Sequence, residues 1–373
     1  MAEFFIGLMS GTSLDGIDCC LVKFTDDEIL TVAFHYTPYS EELKHRLLTL
    51  SCPGRSIDLN DYGKLDAELG KLYAVSVQAL LEQTGLQASS IKAIGSHGQT
   101  VFHAPTPPFP FTLQIGDPNI IAEATGITTV ADLRRRDIAA NGQGAPLVPA
   151  FHQAVFSSVT EHRCVVNIGG IANITVLPAN GTRPVIGFDT GPGNILSDLW
   201  IKQHKGKELD AGGEWAKSGR IEGDLAIQLK QDAYFHAKPP KSTGREYFSS
   251  AWLSQVTDLS NYAPEDVQAT LVYLTASTIG DAIKQHAPET ERILICGGGA
   301  HNAFLLERLK LELALPVATT ENYGIHPDHV EAAAFAWLAR QTLNHQPGNL
   351  TAVTGASRPV ILGGIYPGTN GLS

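Results

Sequence analysis

The chain has 373 residues, of which 43% are apolar and 17% are charged, and its formal net charge is −11. This composition is typical of a globular protein long enough for two domains, and it excludes a fibrous or disordered chain. The acidic balance also excludes a broad nucleic-acid surface, which needs clustered Lys and Arg, because the one basic run, "DLRRRD", is short and flanked by acids.

The start of the chain, "MAEFFIGLMS", has no basic segment and no long apolar core, and no apolar run approaches the ~18 residues of a membrane span. We therefore expect a cytoplasmic protein without a membrane partner. The five cysteines form no C-x-x-C pair and four lie in apolar runs, so we expect reduced, buried thiols. His97 and His103 lack acidic or sulfur partners at ligand spacing, which favours ordinary hydrogen-bonded histidines over a metal site.

The first part of the chain alternates between extended and helical patterns. Runs rich in Ile, Val and Phe, separated by Gly-rich turns, indicate strands, and Leu, Tyr and Ala at spacings of three and four indicate helices. Ser40 and either Asn60 or Asp61 are plausible N-caps, and Gly85 is a helix stop. The predicted elements are strands over 4–11, 17–24, 29–40 and 91–98, helices over 40–50 and 61–85, and a strand running into a helix over 111–126.

A second block begins after the Pro- and Gly-rich stretch "NGQGAPLVPAFH". It opens, like the first, with a strand, a Gly-rich turn and a strand. Its predicted elements are that hairpin over 163–178, a strand over 185–188, helices over 195–204, 222–233, 264–287 and 326–343, a strand, triple glycine and helix over 292–313, and a turn and strand over 351–368.

The repeated hairpin predicts the domain organisation. Two halves that open in the same way indicate an α/β protein built from two duplicated domains on either side of a cleft. We expect an N-terminal domain of residues 1–135 with 350–373, and a C-terminal domain of residues 136–349.

The tips of the two hairpins are candidates for phosphate binding. In "SGTSLDG", residues 10–16, backbone N–H groups of a tight turn can form an anion nest, to which Thr12 and Ser13 add hydroxyls. An ordinary Asp-Gly hairpin turn explains the same residues equally well. "NIGGIAN", residues 167–173, would add N–H groups and Asn side chains at the second tip, and Gly297 to Gly299 would let the backbone approach a base or ribose, or simply pack closely.

Three common nucleotide and nucleophile motifs are absent from the sequence. There is no G-x-x-x-x-G-K-[ST], no G-x-G-x-x-G at a strand-to-helix junction, and no G-x-S-x-G. A phosphate clamp made from two hairpins is the hypothesis that remains.

Two acids, Asp15 and Asp189, are candidates for metal binding and base catalysis. Asp15, in the first turn, could hold Mg²⁺ through water beside phosphates. Asp189 follows the apolar run "VIGF", so we expect its carboxylate at a strand end, beside a helix begun by Pro192, where it could serve as a general base. A helix-capping role for Asp189 is the alternative.

Seven motifs in chain order make the sequence resemble the anhydro-N-acetylmuramic acid kinase family over essentially its whole length. They are "GLMSGTSLDGID", "GSHGQT", "ADLRRRDIAANGQGAPLVP", "NIGGIANIT", "GFDTGPGN", "CGGGAHN" and "VTGASRP". The resemblance implies an actin-like (ribonuclease H-like) ATPase fold of the sugar kinase and Hsp70 type. It also implies a homodimer that uses ATP and Mg²⁺ to open the 1,6-anhydro ring of the amino sugar with water and phosphorylate O6, in cell-wall recycling.

Carried over residue by residue, the resemblance makes Asp189 the catalytic aspartate and Gly11 to Asp18 the ATP-binding stretch. Gln99, Thr100 and Arg134 match motifs that line the sugar site, although the choice among Arg134, Arg135 and Arg136 stays open. Glu331 matches an acid of a late helix, or could belong to a solvated helix face. The full set expected to bind ATP is Gly11, Thr12, Ser13, Leu14, Asp15, Gly16, Ile17, Asp18, Asn167, Gly169, Gly170, Asn173, Gly297, Gly298, Gly299 and Asn302.

Two alternative functions stay open from the sequence. An ordinary kinase of another sugar would use Asp189 to deprotonate a hydroxyl and would incorporate no water. An actin- or Hsp70-like nucleotide switch would use ATP to change its conformation and partners, but this alternative rests on fold analogy alone.

Overall fold

The computed structural model describes residues 2–11, 13–26, 28–52 and 57–369. The strands are β1 (Glu3–Met9), β2 (Gly16–Phe24), β3 (Ile29–Pro38), β4 (Ile91–Ser96), β5 (Gln99–Ala104), β6 (Phe111–Ile115), β7 (Thr129–Ala131), β8 (Arg163–Ile168), β9 (Ile171–Leu177), β10 (Ile186–Pro192), β11 (Arg292–Cys296), β12 (Val317–Thr319) and β13 (Gly364–Tyr366). The helices are α1 (Glu41–Leu50), α2 (Leu59–Thr84), α3 (Pro118–Thr125), α4 (Arg135–Ala139), α5 (Val148–Phe156), α6 (Ile195–Lys205), α7 (Glu214–Ser218), α8 (Gly223–Leu229), α9 (Ala233–His236), α10 (Ser250–Val256), α11 (Pro264–His286), α12 (Ala303–Leu313), α13 (Val330–Leu343) and α14 (Thr351–Thr354).

The chain divides into two compact units, unit 1 with residues 1–151 and 329–373, and unit 2 with residues 152–328. The expected boundaries at 135/136 and 349/350 differ from this division. The boundary expected at 349/350 moves to 328/329 because α13 packs on β1 and β4 and so belongs to unit 1, and the boundary expected at 135/136 moves to 151/152.

The sheets of the two units share the order of five strands, and the unit 1 sheet carries β13 as a sixth strand at its edge. In unit 1 the strand order is β13-β7-β4-β1-β2-β3, and in unit 2 it is β10-β9-β8-β11-β12. In each unit the first three strands pair antiparallel as a meander, and the fourth returns parallel to the first after a helical crossover. The predicted α/β class with a duplicated unit is therefore confirmed.

Each unit buries its sheet beneath helices. In unit 1, Ile6, Leu8 and Ile17 of the sheet meet Leu69 and Tyr73 of α2 in one apolar cluster. In unit 2, residues of β8, β9 and β11 meet α11 and α12 in a second cluster. Because most of these side chains are almost fully buried, the sheets give the loops at their edges a rigid base.

Several predicted element ends are shifted in the structure. Ser40 caps α1 and Gly85 ends α2 with φ 68°, as expected, but α2 begins earlier, with Asp58 accepting a hydrogen bond from Asn60 N. The hairpin of β5 and β6 has its first strand in residues for which we predicted no element. Cys19, Cys20, Cys164 and Cys296 are buried, whereas Cys52 is exposed. Among the described residues, none of the helices combines the length and apolar character needed to span a bilayer.

Helix α13 lies directly on the backbone of the unit 1 sheet, at two glycines. A Cβ added to Gly7 would lie 2.8 Å from the amide nitrogen of Ala336, and one added to Gly95 would lie 2.6 Å from the carbonyl carbon of Phe335. Real Cβ atoms do not approach backbone so closely, so only glycine allows this contact at either position. The two glycines therefore fix where the amino end of α13, which carries Glu331, lies on the sheet.

We predict that Gly7→Ala lowers the free energy of unfolding by about 1–3 kcal/mol, because the added methyl must push α13 away from β1. Gly63→Ala is the matched control, since an added Cβ there meets nothing within 4 Å and alanine favours the exposed helix position. Chemical denaturation of the two variants measures the difference. Equal stability of Gly7→Ala and the wild type would contradict the packing argument.

Candidate functional site

The first hairpin tip, residues 10–15, connects β1 to β2 in unit 1. It is closed by a hydrogen bond from Leu14 N to Gly11 O (3.3 Å), with Leu14 at φ 57°. Its base is fixed by Ser10, whose Oγ is 2.5 Å from the Tyr73 hydroxyl and donates to Gly98 O at 3.2 Å. These contacts hold Ser10, Gly11 and Leu14, which lie on either side of Thr12.

The N–H groups of this tip are available to a ligand. Among the described residues, no acceptor lies within hydrogen-bonding distance of the amides of Gly11, Ser13 or Asp15. Asp15 is exposed, whereas Gly16, Ile17 and Asp18 are already strand residues, and Ile17 lies in the core. Thr12, which we expected to add a hydroxyl, lies outside the described residues. The tip is thus an anion-nest candidate formed by backbone, with no basic side chain.

The second hairpin tip, Gly169 and Gly170, joins β8 to β9 in unit 2. Gly169 O accepts from Asn194 N at 2.8 Å, and Gly170 O accepts from Gly193 N at 2.8 Å, so both carbonyls are held by the start of the next loop. No acceptor for Gly170 N is present among the described residues. This tip again pairs its carbonyls internally and leaves an N–H for a ligand.

The triple glycine after β11 packs closely in unit 2. Gly297 has φ 77°, and Cβ atoms added to Gly297 and Gly299 would collide with the main chain and side chain of Ile168. The side-chain oxygen of Asn302 caps α12 by accepting a hydrogen bond from Leu305 N at 3.0 Å. These contacts explain the glycines and Asn302 structurally, and Gly298, beside the Asn194 amide, is the least crowded of the three.

Four residues that the resemblance assigned to sugar binding lie in unit 1. Gln99 is fully buried; its Nε2 donates to Gly11 O at 3.2 Å, and its Oε1 has no protein partner. Thr100 accepts from Gln114 Nε2 at 3.1 Å. Gln99 is therefore joined directly to the first hairpin tip, and its Oε1 is a buried acceptor without a hydrogen-bond partner among the described residues.

Arg134 is the arginine of the basic run that reaches the interior. It donates from Nη1 to Gly144 O (2.7 Å) and from Nε to His97 Nε2 (3.0 Å), whereas Arg135 pairs with Asp132 at the surface. Burial lowers the pKa of Arg134 to about 10, although the negative charges of Glu331 and Asp137 oppose the effect. This arrangement favours Arg134 over its two exposed neighbours as the ligand-binding arginine.

His97 links Arg134 to the first hairpin tip. Burial, and then the charge of Arg134, lower the pKa of His97 well below its usual value, so the ring is neutral. With Nε2 accepting from Arg134, Nδ1 carries the proton and donates to Ser10 O at 3.3 Å. His103 is also hydrogen-bonded, to Thr112, so both histidines have the ordinary polar contacts expected from the sequence.

Asp189 lies inside strand β10, not at its end. The strand continues through an irregularity after Asp189 and pairs with β9 as far as Pro192, and α6 begins only at Ile195, so the expected strand end and helix start are both corrected. Asp189 is opposite Asn173, which is opposite Asn167 on β8. Directly opposed residues project from the same face of a sheet, so Asn173 and Asp189 point in the same direction.

The Asp189 carboxylate is held on one oxygen. Thr243 N donates to Oδ2 at 3.0 Å, while Asp189 N donates to Lys241 O at 3.2 Å and the Tyr234 hydroxyl donates to Asp189 O at 2.9 Å. No described donor contacts Oδ1. Burial raises the pKa of Asp189 to about 6, although the Thr243 N–H and the charge of Lys241 lower it. A carboxylate with one free oxygen and a pKa near neutrality has the properties of a general base.

The sequence missed the residues that surround Asp189 and the second tip. Tyr234, Lys241, Thr243 and Arg245 all come from one stretch, "YFHAKPPKSTGRE". Its only sequence signal is a Pro- and Gly-rich loop that carries basic residues, and nothing in it indicates that it returns to β10. For His97, the sequence indicates only an ordinary polar residue or a metal ligand, and not a contact with Arg134.

Comparison with known proteins gives one consistent family. The family model described as "AnmK: Anhydro-N-acetylmuramic acid kinase" matches residues 3–368. A protein of Coxiella burnetii (strain Dugway 5J108-111) named anhydro-N-acetylmuramic acid kinase is 50% identical over 98% of both chains. A protein of Photobacterium profundum with the same name is 51% identical, over 98% of this chain and 99% of that one.

The solved structures that match are more distant. A ROK family glucokinase from Streptomyces griseus, in complex with glucose and AMPPNP, covers 91% of this chain and 100% of its own at 13% identity, with a TM-score of 0.41. A likeness of this size is too low to support a functional argument.

Proposed function

The chain belongs to the anhydro-N-acetylmuramic acid kinase family and is a kinase, and on that premise we propose that it opens the 1,6-anhydro ring of anhydro-N-acetylmuramic acid with water and phosphorylates O6 from ATP. The product is N-acetylmuramic acid 6-phosphate. The observation that carries the proposal is the half-buried Asp189 carboxylate, held on Oδ2 by Thr243 and free on Oδ1. Water activation at a sugar carbon requires a base of this kind.

The phosphates of ATP are assigned to the two hairpin tips. The uncommitted amides of Gly11, Ser13, Asp15 and Gly170 support this assignment, because backbone N–H groups bind anions without basic side chains. Thr12, Asn167 and Asn173 are assigned to the same sites, and Gly297 to Gly299 to the nucleoside. The capping contact of Asn302 gives that residue a positioning role beside any contact with ATP.

The sugar is assigned to Gln99, Thr100, Arg134 and Glu331. The buried Oε1 of Gln99 suits a hydroxyl or amide donor of the sugar, and Arg134 supplies a cation for the carboxylate of its lactyl group. Glu331 shares the electrostatic environment of Arg134, which supports a place for it in the same site.

The proposed reaction needs only one base, Asp189, and every bond that breaks is matched by one that forms. Asp189 removes a proton from water while the water oxygen bonds to the anomeric carbon, and the bond from that carbon to O6 breaks. The electron pair left on O6 forms the bond to the γ-phosphorus, and ADP leaves with the electrons of the broken phosphoanhydride bond. Because the charge on O6 passes to a phosphoryl group as it develops, no free alkoxide is formed.

Mg²⁺ fits the donor set around the first tip. The described residues contain no group of three or more His, Cys, Asp or Glu arranged to hold a metal, but Mg²⁺ beside phosphates is commonly held by one or two carboxylates and water. The exposed Asp15 suits that role, with the ion bound through water. When bound, the ion would neutralise charge on the phosphates.

The family resemblance also supports a homodimer that works in the cytoplasm in cell-wall recycling. Light scattering on the purified protein tests the dimer, and a native mass of a single chain would contradict it. Accumulation of anhydro-N-acetylmuramic acid in cells that lack the protein tests the cellular role.

The proposed reaction is tested by product mass after incubation with Mg-ATP and the anhydro sugar in ¹⁸O-water. We expect a product heavier by one phosphoryl group and one labelled water, with the label at the anomeric position. A gain of the phosphoryl group alone would indicate a conventional hydroxyl kinase. No gain would reject this substrate.

Replacement of the base tests its role directly. We predict that Asp189→Asn lowers kcat by at least ~10², because the amide cannot take the proton of water. The amide oxygen can still accept the Thr243 N–H, so binding of ATP and sugar should change little. Asp224→Asn, at an exposed acid of α8, is the matched control. Near-normal turnover of Asp189→Asn would reject the assignment.

The pH dependence of kcat/KM gives an independent test, because it reports the pKa values of the free enzyme. The base acts only when deprotonated, so we expect kcat/KM to fall as the pH drops through about 6, the pKa to which burial raises Asp189. Lys241→Met removes a positive charge that lowers this pKa, so the acid limb of the kcat/KM profile should move to higher pH. A kcat/KM that does not change between about pH 5 and 8 would contradict Asp189 as the base.

A further inference from the structure

The loop between α9 and α10 is anchored at two points in unit 2. At one end, Lys241 and Thr243 hydrogen-bond to Asp189, as described above. At the other, Phe248 is fully buried, and its N–H donates to Gly244 O at 3.3 Å. Residues 241–248 are therefore fixed on both sides of Arg245, although the Arg245 side chain is exposed. This loop segment is called the anchored segment below.

The guanidinium of Arg245 lies against the second hairpin tip. A Cβ added to Gly170 would lie 3.3 Å from both Nε and Nη2 of Arg245. Glycine at this position gives the planar guanidinium room beside the tip backbone. The same residue, Gly170, has the amide without an acceptor among the described residues.

Arg245 supplies the charge that the hairpin tips lack. Neither "SGTSLDG" nor "NIGGIAN" contains Lys or Arg, in a chain whose net charge is −11. Terminal phosphates of a nucleotide carry several negative charges, and backbone N–H groups neutralise them only in part. A guanidinium beside the tip can donate two parallel hydrogen bonds to phosphate oxygens, which an ammonium cannot do.

Asp198 compensates the positive charge of Arg245 only in part. Asp198, in the first turn of α6, is electrostatically coupled to Arg245. Burial raises the pKa of Asp198 to about 7; the charge of Arg245 opposes the rise, and the acids Asp210 and Glu208 add to it. Near neutral pH, a fraction of Asp198 is protonated, so the guanidinium is not locked in a full ion pair.

We propose that Arg245 is a phosphate-binding residue, whose guanidinium donates hydrogen bonds to the terminal phosphate oxygens of ATP held at the Gly169–Gly170 tip. This inference rests on the proposed assignment of ATP to the hairpin tips, and it adds a side chain to a site otherwise formed by backbone. Because the anchored segment also holds Asp189, the base and the cation are fixed by the same piece of chain.

The test is calorimetric titration of the full chain with Mg-ATP and, separately, with AMP, which lacks the terminal phosphates. We expect Arg245→Gln to weaken ATP binding by about 10-fold, since hydrogen bonds to charged groups are lost, while AMP binding stays unchanged. Arg245→Lys keeps the positive charge but cannot donate two parallel hydrogen bonds. Its affinity for ATP should therefore lie between those of the wild type and Arg245→Gln. Arg220→Gln is the matched control, because its side chain is exposed and its ion pairs in unit 2 are long, at 3.7 and 3.9 Å.

Three results would overturn the inference. One is ATP affinity of Arg245→Gln within about twofold of wild type. Another is an equal loss of ATP and AMP binding, which would indicate a structural role for Arg245. The third applies if circular dichroism shows that Arg245→Gln is unfolded. In that case, an ATP affinity of Arg245→Lys equal to that of the wild type would overturn the inference. Failure of the proposed reaction is seen separately, as a wild type that binds ATP but does not add phosphate to the anhydro sugar.

Discussion

The close contact between α13 and the unit 1 sheet is the constraint on which the rest of that unit depends. Because Gly7 and Gly95 have no side chain, α13 can pack directly against the backbone of β1 and β4. This contact brings the last part of the chain back to the unit in which the chain begins, and with it Glu331 near Arg134. The cost is small, since glycine in a strand loses about 0.5–1 kcal/mol relative to alanine, against the larger penalty of a misplaced helix.

Burial shifts the pKa values of candidate residues in each unit, and it raises the pKa of an acid but lowers the pKa of a base. It raises the pKa of Asp189 to about 6, which favours the protonated form by about 3 kcal/mol relative to its ordinary value of 3.8. It lowers the pKa of Arg134 to about 10 and that of His97 well below its usual range. The outcome is a carboxyl group with a pKa near 6, an arginine that stays charged and a histidine that stays neutral.

An acidic protein can bind a polyanion only where local groups outweigh its overall field. Here the local groups are backbone amides left without acceptors at both hairpin tips, together with one guanidinium held against the second tip. Both features depend on short-range geometry and not on net charge, so the proposed phosphate sites are compatible with a chain of net charge −11.

The sequence by itself determined the α/β class, the duplicated hairpins, most of the long helices and the seven motifs that identify the family. These features are local, because strand and helix periodicity, capping residues and Gly-rich turns are written in consecutive residues. Tertiary structure alone decided the remainder: the place of α13 in unit 1, the position of Asp189 inside β10, and the meeting of Thr243, Lys241 and Arg245 with Asp189 and Gly170. Those contacts join residues tens of positions apart through loops without periodicity, and burial, which shifts the pKa of Asp189, exists only once the chain is packed.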